Sequence, residues 1–148
     1  LYQVLYPEAM KAAIEKNYML IKSLIVKFSL MMFLCGALAF SFIYTTSSLW
    51  QNFFSGELNE YSIQLILIYI VIQWGVIVFI HYHPIFTALN GVRANAILTM
   101  VLNLLFTILF ISGIYAFGIE GGLLAILIHY FATVFIKAVC INNKLKVN

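Results

Sequence analysis

Four apolar stretches, residues 23–44, 61–80, 94–117 and 122–139, dominate this chain. Each approaches the ~20 residues that a helix needs to cross the hydrocarbon of a bilayer. Lipid offers no hydrogen-bond partners, so a segment inside it must satisfy its own backbone groups. Long unbroken apolar runs do so as helices; a barrel would need short alternating strands, which are absent here. The expected fold is therefore an all-α membrane protein with four transmembrane helices, preceded by a short cytoplasmic amphipathic helix. Composition agrees: of 148 residues, 64% are hydrophobic and 9% charged, far from the balance of a water-soluble domain.

The charges then fix a topology. All eight Lys and Arg residues fall on one side once the stretches are threaded through a membrane. Lys11, Lys16, Lys22 and Lys27 precede the first stretch, Arg93 lies between the second and third, and Lys137, Lys144 and Lys146 close the chain. The alternate connections carry only Glu57, Glu60 and Glu120. Basic residues are retained in the cytosol during insertion, so both ends are expected to be cytoplasmic. The net charge of +3 is in this light a topological signal. No basic patch with interleaved aromatics suggests a nucleic-acid partner.

Within this frame, residues 1–22 read as the end of a preceding span plus an amphipathic linker helix, and residues 23–148 as a four-helix transmembrane bundle. The chain begins with Leu1 rather than Met, and residues 1–6 read as the tail of an apolar segment already under way, so a piece of a longer protein is expected. Pro7 is expected to open the linker helix, because a first helical position has no use for the missing N–H. Trp50, Phe53, Phe54 and Tyr61 suit an interfacial loop at headgroup level. Pro84 should break the helix at the end of the second stretch, giving a short helical or re-entrant extension closed by Gly91. The third and fourth stretches are joined so tightly that they must form an antiparallel hairpin. Gly118 is expected to end the first arm, while Gly121 and Gly122 let the second approach closely. Pro7, Pro84, Gly91, Gly118, Gly121 and Gly122 are thus the expected hinge and turn positions.

Polar residues recur inside the stretches at helical spacing. Asn95, Thr99, Asn103 and Thr107 form one stripe, His129, Thr133 and Lys137 a second, and Tyr69, Gln73 and His81 a third. A polar stripe is costly in lipid, so it must turn toward other helices or a wet cavity. Hydrogen bonding between helices and the lining of a substrate path both explain it. The chain has no Asp, and no Glu falls within a stretch, so an intramembrane carboxylate of the kind used for ion coupling is missing. No nucleophile–base pair is recognisable, so no enzyme is expected. His81 and His83 stand close in sequence, but no carboxylate or cysteine accompanies them at metal-ligand spacing, and no metal or cofactor is expected. Cys35 and Cys140 read as small packing residues at different depths.

Several of these segments, taken in order, resemble the polysaccharide (O-antigen type) flippases of the multidrug/oligosaccharidyl-lipid/polysaccharide exporter superfamily. Leu5-Tyr-Pro-Glu-Ala-Met10 and the charged helix after it resemble the linker that follows the eighth helix of those proteins. Residues 49–91 resemble the next pair of helices in order and spacing. Ala88-Leu-Asn-Gly-Val-Arg-Ala-Asn95 looks like the short basic turn before the penultimate helix, and Asn103-Leu-Leu-Phe-Thr-Ile looks like a frequent Asn-Leu stretch. Tyr115-Ala-Phe-Gly-Ile-Glu-Gly-Gly-Leu-Leu-Ala-Ile-Leu-Ile-His-Tyr130 is similar to the family's Tyr-Gly-Ile-x-Gly-Ala-Ala-x-Ala-Thr hairpin. The chain departs from the pattern at Gly122-Leu123, where Ala-Ala is usual, in lacking a Pro before the turn, and in its His81-Tyr-His-Pro84 element.

The resemblance implies a portion of the C-terminal lobe of a two-lobed inner-membrane protein of about twelve helices, moving undecaprenyl-diphosphate-linked oligosaccharide for lipopolysaccharide-type glycans by alternating access. Its implied partners are the bilayer, the lipid-linked oligosaccharide and the N-terminal helices of the same polypeptide. For such a substrate, Arg93 is the best-placed cation to attract diphosphate and Lys137 the next. Asn103, Gln73 and His129 are candidates for hydrogen bonding to sugars. Both cations equally suit span ends that snorkel to the headgroups. Two rivals stay open: a small stand-alone four-helix accessory protein, and a drug exporter of the same superfamily.

Overall fold

The computed structural model describes residues 2–46, 49 and 60–146. The expected interfacial loop with Trp50, Phe53 and Phe54, and the acid Glu57, lie outside the described residues. The described chain is all helical: α1 (Tyr2–Ile14), α2 (Tyr18–Thr45), α3 (Glu60–Phe79), α4 (Tyr82–Asn90) and α5 (Val92–Lys146). Three segments, Tyr18–Thr45, Tyr61–Asn90 and Val92–Lys146, are long and apolar enough to cross a membrane by length and composition. This is the architecture of a multi-pass membrane protein.

Helix α1 runs through Pro7, so that residue neither opens the helix nor hinges it, contrary to expectation. Proline lacks only the N–H that would reach the carbonyl of Gln3, near the start of the helix. Against that single lost bond stands a fully buried apolar face of Leu5, Ala9 and Ala12, whose burial favours keeping the helix straight. The helix instead stops after Ile14. Lys16 adopts a left-handed conformation (φ 53°), and the Asn17 side chain accepts a hydrogen bond from the Leu20 amide at 3.1 Å, capping α2.

Between α3 and α4 the chain turns at Ile80–His81, a few residues before Pro84. The proline falls in the first turn of α4, where backbone amides have no intrahelical partner to lose. The short helix closes at Gly91, as its sequence implies. With φ 87° and ψ 157°, Gly91 occupies a region essentially restricted to glycine.

Helix α5 is two arms. Gly118, at φ 65° and ψ −144°, breaks it, and residues 119–146 fold back along residues 92–117. The reversal is visible in side chains far apart in sequence: the rings of Phe106 and His129 lie 4.7 Å apart. Near the bend the two arms touch backbone to backbone. A Cβ on Gly113 would stand 2.6 Å from the Gly121 carbonyl oxygen, and one on Gly122 would meet Ile114 and Phe110. Gly121 and Gly122 thus have the expected role, and Gly113 is their partner across the hairpin.

The apolar core sits at one end of the molecule. Leu5, Ala9 and Ala12 of α1 meet Ile21 and Leu24 of α2, Ile85 and Phe86 of α4, and Ile141 and Leu145 of α5. This is also the end where the lysines gather, and Lys144 Nζ donates to the Leu89 carbonyl at 2.6 Å. At the other end of α3, about 30 Å away by helical rise, the Tyr61 phenol donates to the Glu120 carboxylate. Lys and Arg are therefore gathered at one end of the long helices, together with Glu8 and Glu15, while Glu120 stands at the other. Between those ends, large apolar side chains such as Met100, Leu104, Phe131 and Phe135 face outward. That distribution is unfavourable in water and natural against lipid or further helices. Helix α2 packs on α3 through Trp74, whose indole lies over Gly36 between Phe33 and Phe40.

Candidate functional site

Two ionisable side chains are fully buried among the described residues, Lys137 and His81. Lys137 is fully buried on the second arm of α5, and its Nζ donates to His83 Nδ1 at 2.5 Å. The same nitrogen lies 5.7 Å from the centre of the Phe86 ring, within reach of a cation–π attraction. Among the described residues no carboxylate stands within ion-pair distance of it. Lys137 thus does not snorkel to the surface, as a lysine at the end of a span ordinarily does. Packing of α4 across the end of α5 encloses it.

The turn at Ile80–His81 explains why the two histidines part company. His81 is fully buried and its Nε2 lies 3.1 Å from Ser29 Oγ of α2. His83, two positions later at the start of α4, faces the second arm of α5 and meets Lys137. The break in α3 also removes His81 from the face of Tyr69 and Gln73, where an unbroken helix would have placed it. His81 Nδ1 is buried without a hydrogen-bond partner among the described residues.

Beside His83 opens a cavity of about 390 Å³ between the end of α3, the start of α4 and the second arm of α5. Its walls are mainly apolar, formed by Val76, Phe79, Ile80 and Val134, with His83 and Thr133 as polar members. Thr133 is 8% exposed, and its Oγ1 is buried without a partner. It lies four residues before Lys137, hence on the same helical face. A larger hollow of about 530 Å³ lies between α1, α4 and the end of α5, but its polar members Asn143 and Lys144 are exposed.

The other candidates scatter. Arg93 is exposed in the first turn of α5, and Asn103 is exposed on its first arm. Gln73 is half-buried on α3, and His129 is half-buried against Phe106. The stripe of His129, Thr133 and Lys137 touches the cavity at Thr133, and its Lys137 meets His83, which also lines that cavity. Along the chain His83 showed no role beyond an unpromising metal ligand, and Ser29 none. Their local signal is only the His81-Tyr-His-Pro84 turn. Among the described residues no group of three His, Cys, Asp or Glu side chains could hold a metal ion. Both cysteines are free.

No family model matches the chain, and no curated protein or solved structure matches it either.

Proposed function

We propose that this chain is part of a membrane flippase that moves lipid-linked oligosaccharide, carried on a diphosphate, by alternating access. The observation that carries the reading is Lys137: a fully buried amine beside a cavity, with a histidine and, among the described residues, no acid as its partner. Burying an uncompensated charge costs several kcal/mol or more, so packing does not explain its presence. A transient anionic ligand does, because charge-assisted hydrogen bonds to phosphate are strong.

The remaining features fit that reading. The long helices are apolar on their outer faces, and the basic ends are gathered together, which supports a cytosolic position for those ends by the positive-inside rule and a reading of the two arms of α5 as the last two of four crossings. Arg93 stands exposed at that end, suited to first electrostatic contact with diphosphate, and Lys137 lies further in. Gln73, Asn103 and His129 are the candidates for hydrogen bonding to the sugar hydroxyls. Transport of this kind makes and breaks no covalent bond. The order of motifs along the chain, from the Pro7 segment to the Tyr115–Tyr130 hairpin, supports the polysaccharide-flippase assignment.

The test is translocation itself. The whole reading frame is expressed, inverted membrane vesicles are prepared, and delivery of a fluorescent undecaprenyl-diphosphate glycan across the bilayer is followed. Transport is expected in these vesicles, reduced at least tenfold by Lys137→Gln and unaffected by Lys146→Gln. Equal delivery in vesicles with and without the protein removes the reading, and export of a cationic dye in its place points to a drug exporter.

A further inference from the structure

We infer that the cavity between α3, α4 and the second arm of α5 is a phosphate-binding site in which His83 occupies the ligand's place on Lys137. The assignment rests on the transport reading for its substrate class and goes beyond it in naming the site and the exchange.

An ammonium group carries three donors and no acceptor. In this structure Lys137 meets an imidazole nitrogen at 2.5 Å and an aromatic face. Both are neutral partners of a buried cation. A phosphate oxygen is a stronger acceptor, since hydrogen bonds between ionised partners are about twice as strong as those between neutral ones. The second donor is already in position. Thr133 Oγ1 is buried and unpartnered, it lines the cavity, and it shares a helical face with Lys137. A hydroxyl can donate to one phosphate oxygen while the ammonium donates to another. A buried hydroxyl left without a partner is otherwise a cost to the fold.

The cavity has the shape of such a ligand. Its volume of about 390 Å³ suits a phosphorylated head group and not a chain of several sugars. The apolar walls of Val76, Phe79, Ile80 and Val134 lower the local polarity, which strengthens a charge interaction beside them. Tyr130 joins His83 and Thr133 in the cavity's lining. For the oxyanion to dock on Lys137, His83 must give up its hydrogen bond and turn aside. His83 sits at the start of α4, directly after the turn at Ile80–His81, so the motion needs a side-chain rotation and no repacking of a long helix. The exchange leaves every atom and proton where it began except the hydrogen bond itself.

Phosphate chemistry reaches the site from two sources, a free phosphate or a lipid head group, and the experiment separates them. The full-length protein is placed in phosphatidylcholine nanodiscs and titrated with inorganic diphosphate; a parallel sample contains a fraction of phosphatidic acid. The readout is the ring-nitrogen NMR signal of His83 in protein carrying labelled histidine, together with the dissociation constant. Expected is loss of the hydrogen-bonded Nδ1 signal on addition of ligand. Lys137→Gln should abolish binding, the isosteric Thr133→Val should weaken it about tenfold, and His83→Leu, which removes the internal competitor, should tighten it severalfold. A response to phosphatidic acid alone assigns the head group, and a response to diphosphate alone assigns the free anion; either supports the site. No response to both probes overturns it. So does equal binding in wild type and Lys137→Gln, or a His83→Leu protein that fails to bind, which would make the histidine a ligand rather than a place-holder. If binding holds while glycan translocation fails, the site stands and the flippase reading falls; the opposite result removes the site alone.

Discussion

Lys137 Nζ and His83 Nδ1 lie 2.5 Å apart, joining the second arm of α5 to the start of α4 across the middle of the bundle's basic end. Neither residue is matched to an acid among the described residues, and the contact adjoins the cavity that also holds Thr133.

This pairing predicts opposite effects for its two members. Lys137→Met replaces a buried cation with an apolar side chain of similar length, so thermal unfolding in detergent should show stability unchanged or raised by ~1 kcal/mol. His83→Leu leaves the amine without its acceptor and should lower stability by ~1–3 kcal/mol. A large loss for Lys137→Met would mean that the charge is structural.

The hairpin of α5 should tolerate no side chain at its contact point. A Cβ on Gly121 would run into the carbonyl of Gly113, and backbone cannot move aside as a flexible side chain can. Gly121→Ala is expected to cost ~2 kcal/mol or more. Gly75 has open space around its Cβ position, so Gly75→Ala in the middle of α3 should stabilise by ~0.5–1 kcal/mol through helix propensity. Unfolding midpoints of the two variants decide the matter; equal shifts would contradict the close approach.

Gly118 is a test of backbone rather than of space. The nearest atom to an added Cβ is a Glu120 carboxylate oxygen at 3.7 Å, an ordinary contact. Its φ of 65° with ψ −144° is nevertheless closed to other residues, and Gly118→Ala should cost ~1–3 kcal/mol. Accessibility of single cysteines placed on each arm would show whether the reversal survives.

The tie between Tyr61 and Glu120 should respond to acid. The phenol's hydrogen bond, followed by the carboxyl group's own backbone amide, holds Glu120 below its ordinary value of 4.5. A carboxyl lowered on folding adds stability above its unfolded value and loses it as the pH falls through the lowered one. The link between the start of α3 and the bend of α5 is therefore intact at neutral pH and lost only in acid below 4.5. Tyr61→Phe should move the Glu120 titration, followed by carboxyl carbon NMR, back toward the ordinary value. An unchanged titration would show that the phenol does not set it.

His81 offers a fourth handle on the fold. Its Nε2 meets Ser29 Oγ at 3.1 Å while Nδ1 is buried without a partner among the described residues. Ser29→Ala removes the hydrogen bond at this imidazole's Nε2 and should destabilise the packing of α2 against the His81 turn by ~1–3 kcal/mol, measurable as faster amide exchange around Tyr82 and Ile21.

Much of this architecture was legible along the chain because it is encoded locally. The long apolar runs require helices in lipid. Gly91 and Gly118 mark turns because each needs a conformation that only glycine adopts easily, and the short connection around Gly118 leaves the two arms of α5 no choice but to fold back. The gathering of Lys and Arg at one end follows from their order in the sequence. Pro7 was misread because proline's local preference for a helix start was outweighed by burial of Leu5, Ala9 and Ala12, a tertiary effect.

The site was less legible. Lys137 and Thr133 were visible as one stripe, because helical spacing puts them on one face. That the stripe meets His83 was not, since spacing within a helix says nothing about which neighbour it faces. The same holds for Ser29 with His81 and for Gly36 beneath Trp74. Sequence alone determined the helices, their turns and the sorting of charge, since these follow from hydrogen-bond satisfaction and backbone sterics a few residues at a time. Only the tertiary structure decided that an amine is enclosed beside a hollow with an imidazole for company, because that depends on how whole helices rotate and stack, and on contacts between residues more than fifty positions apart.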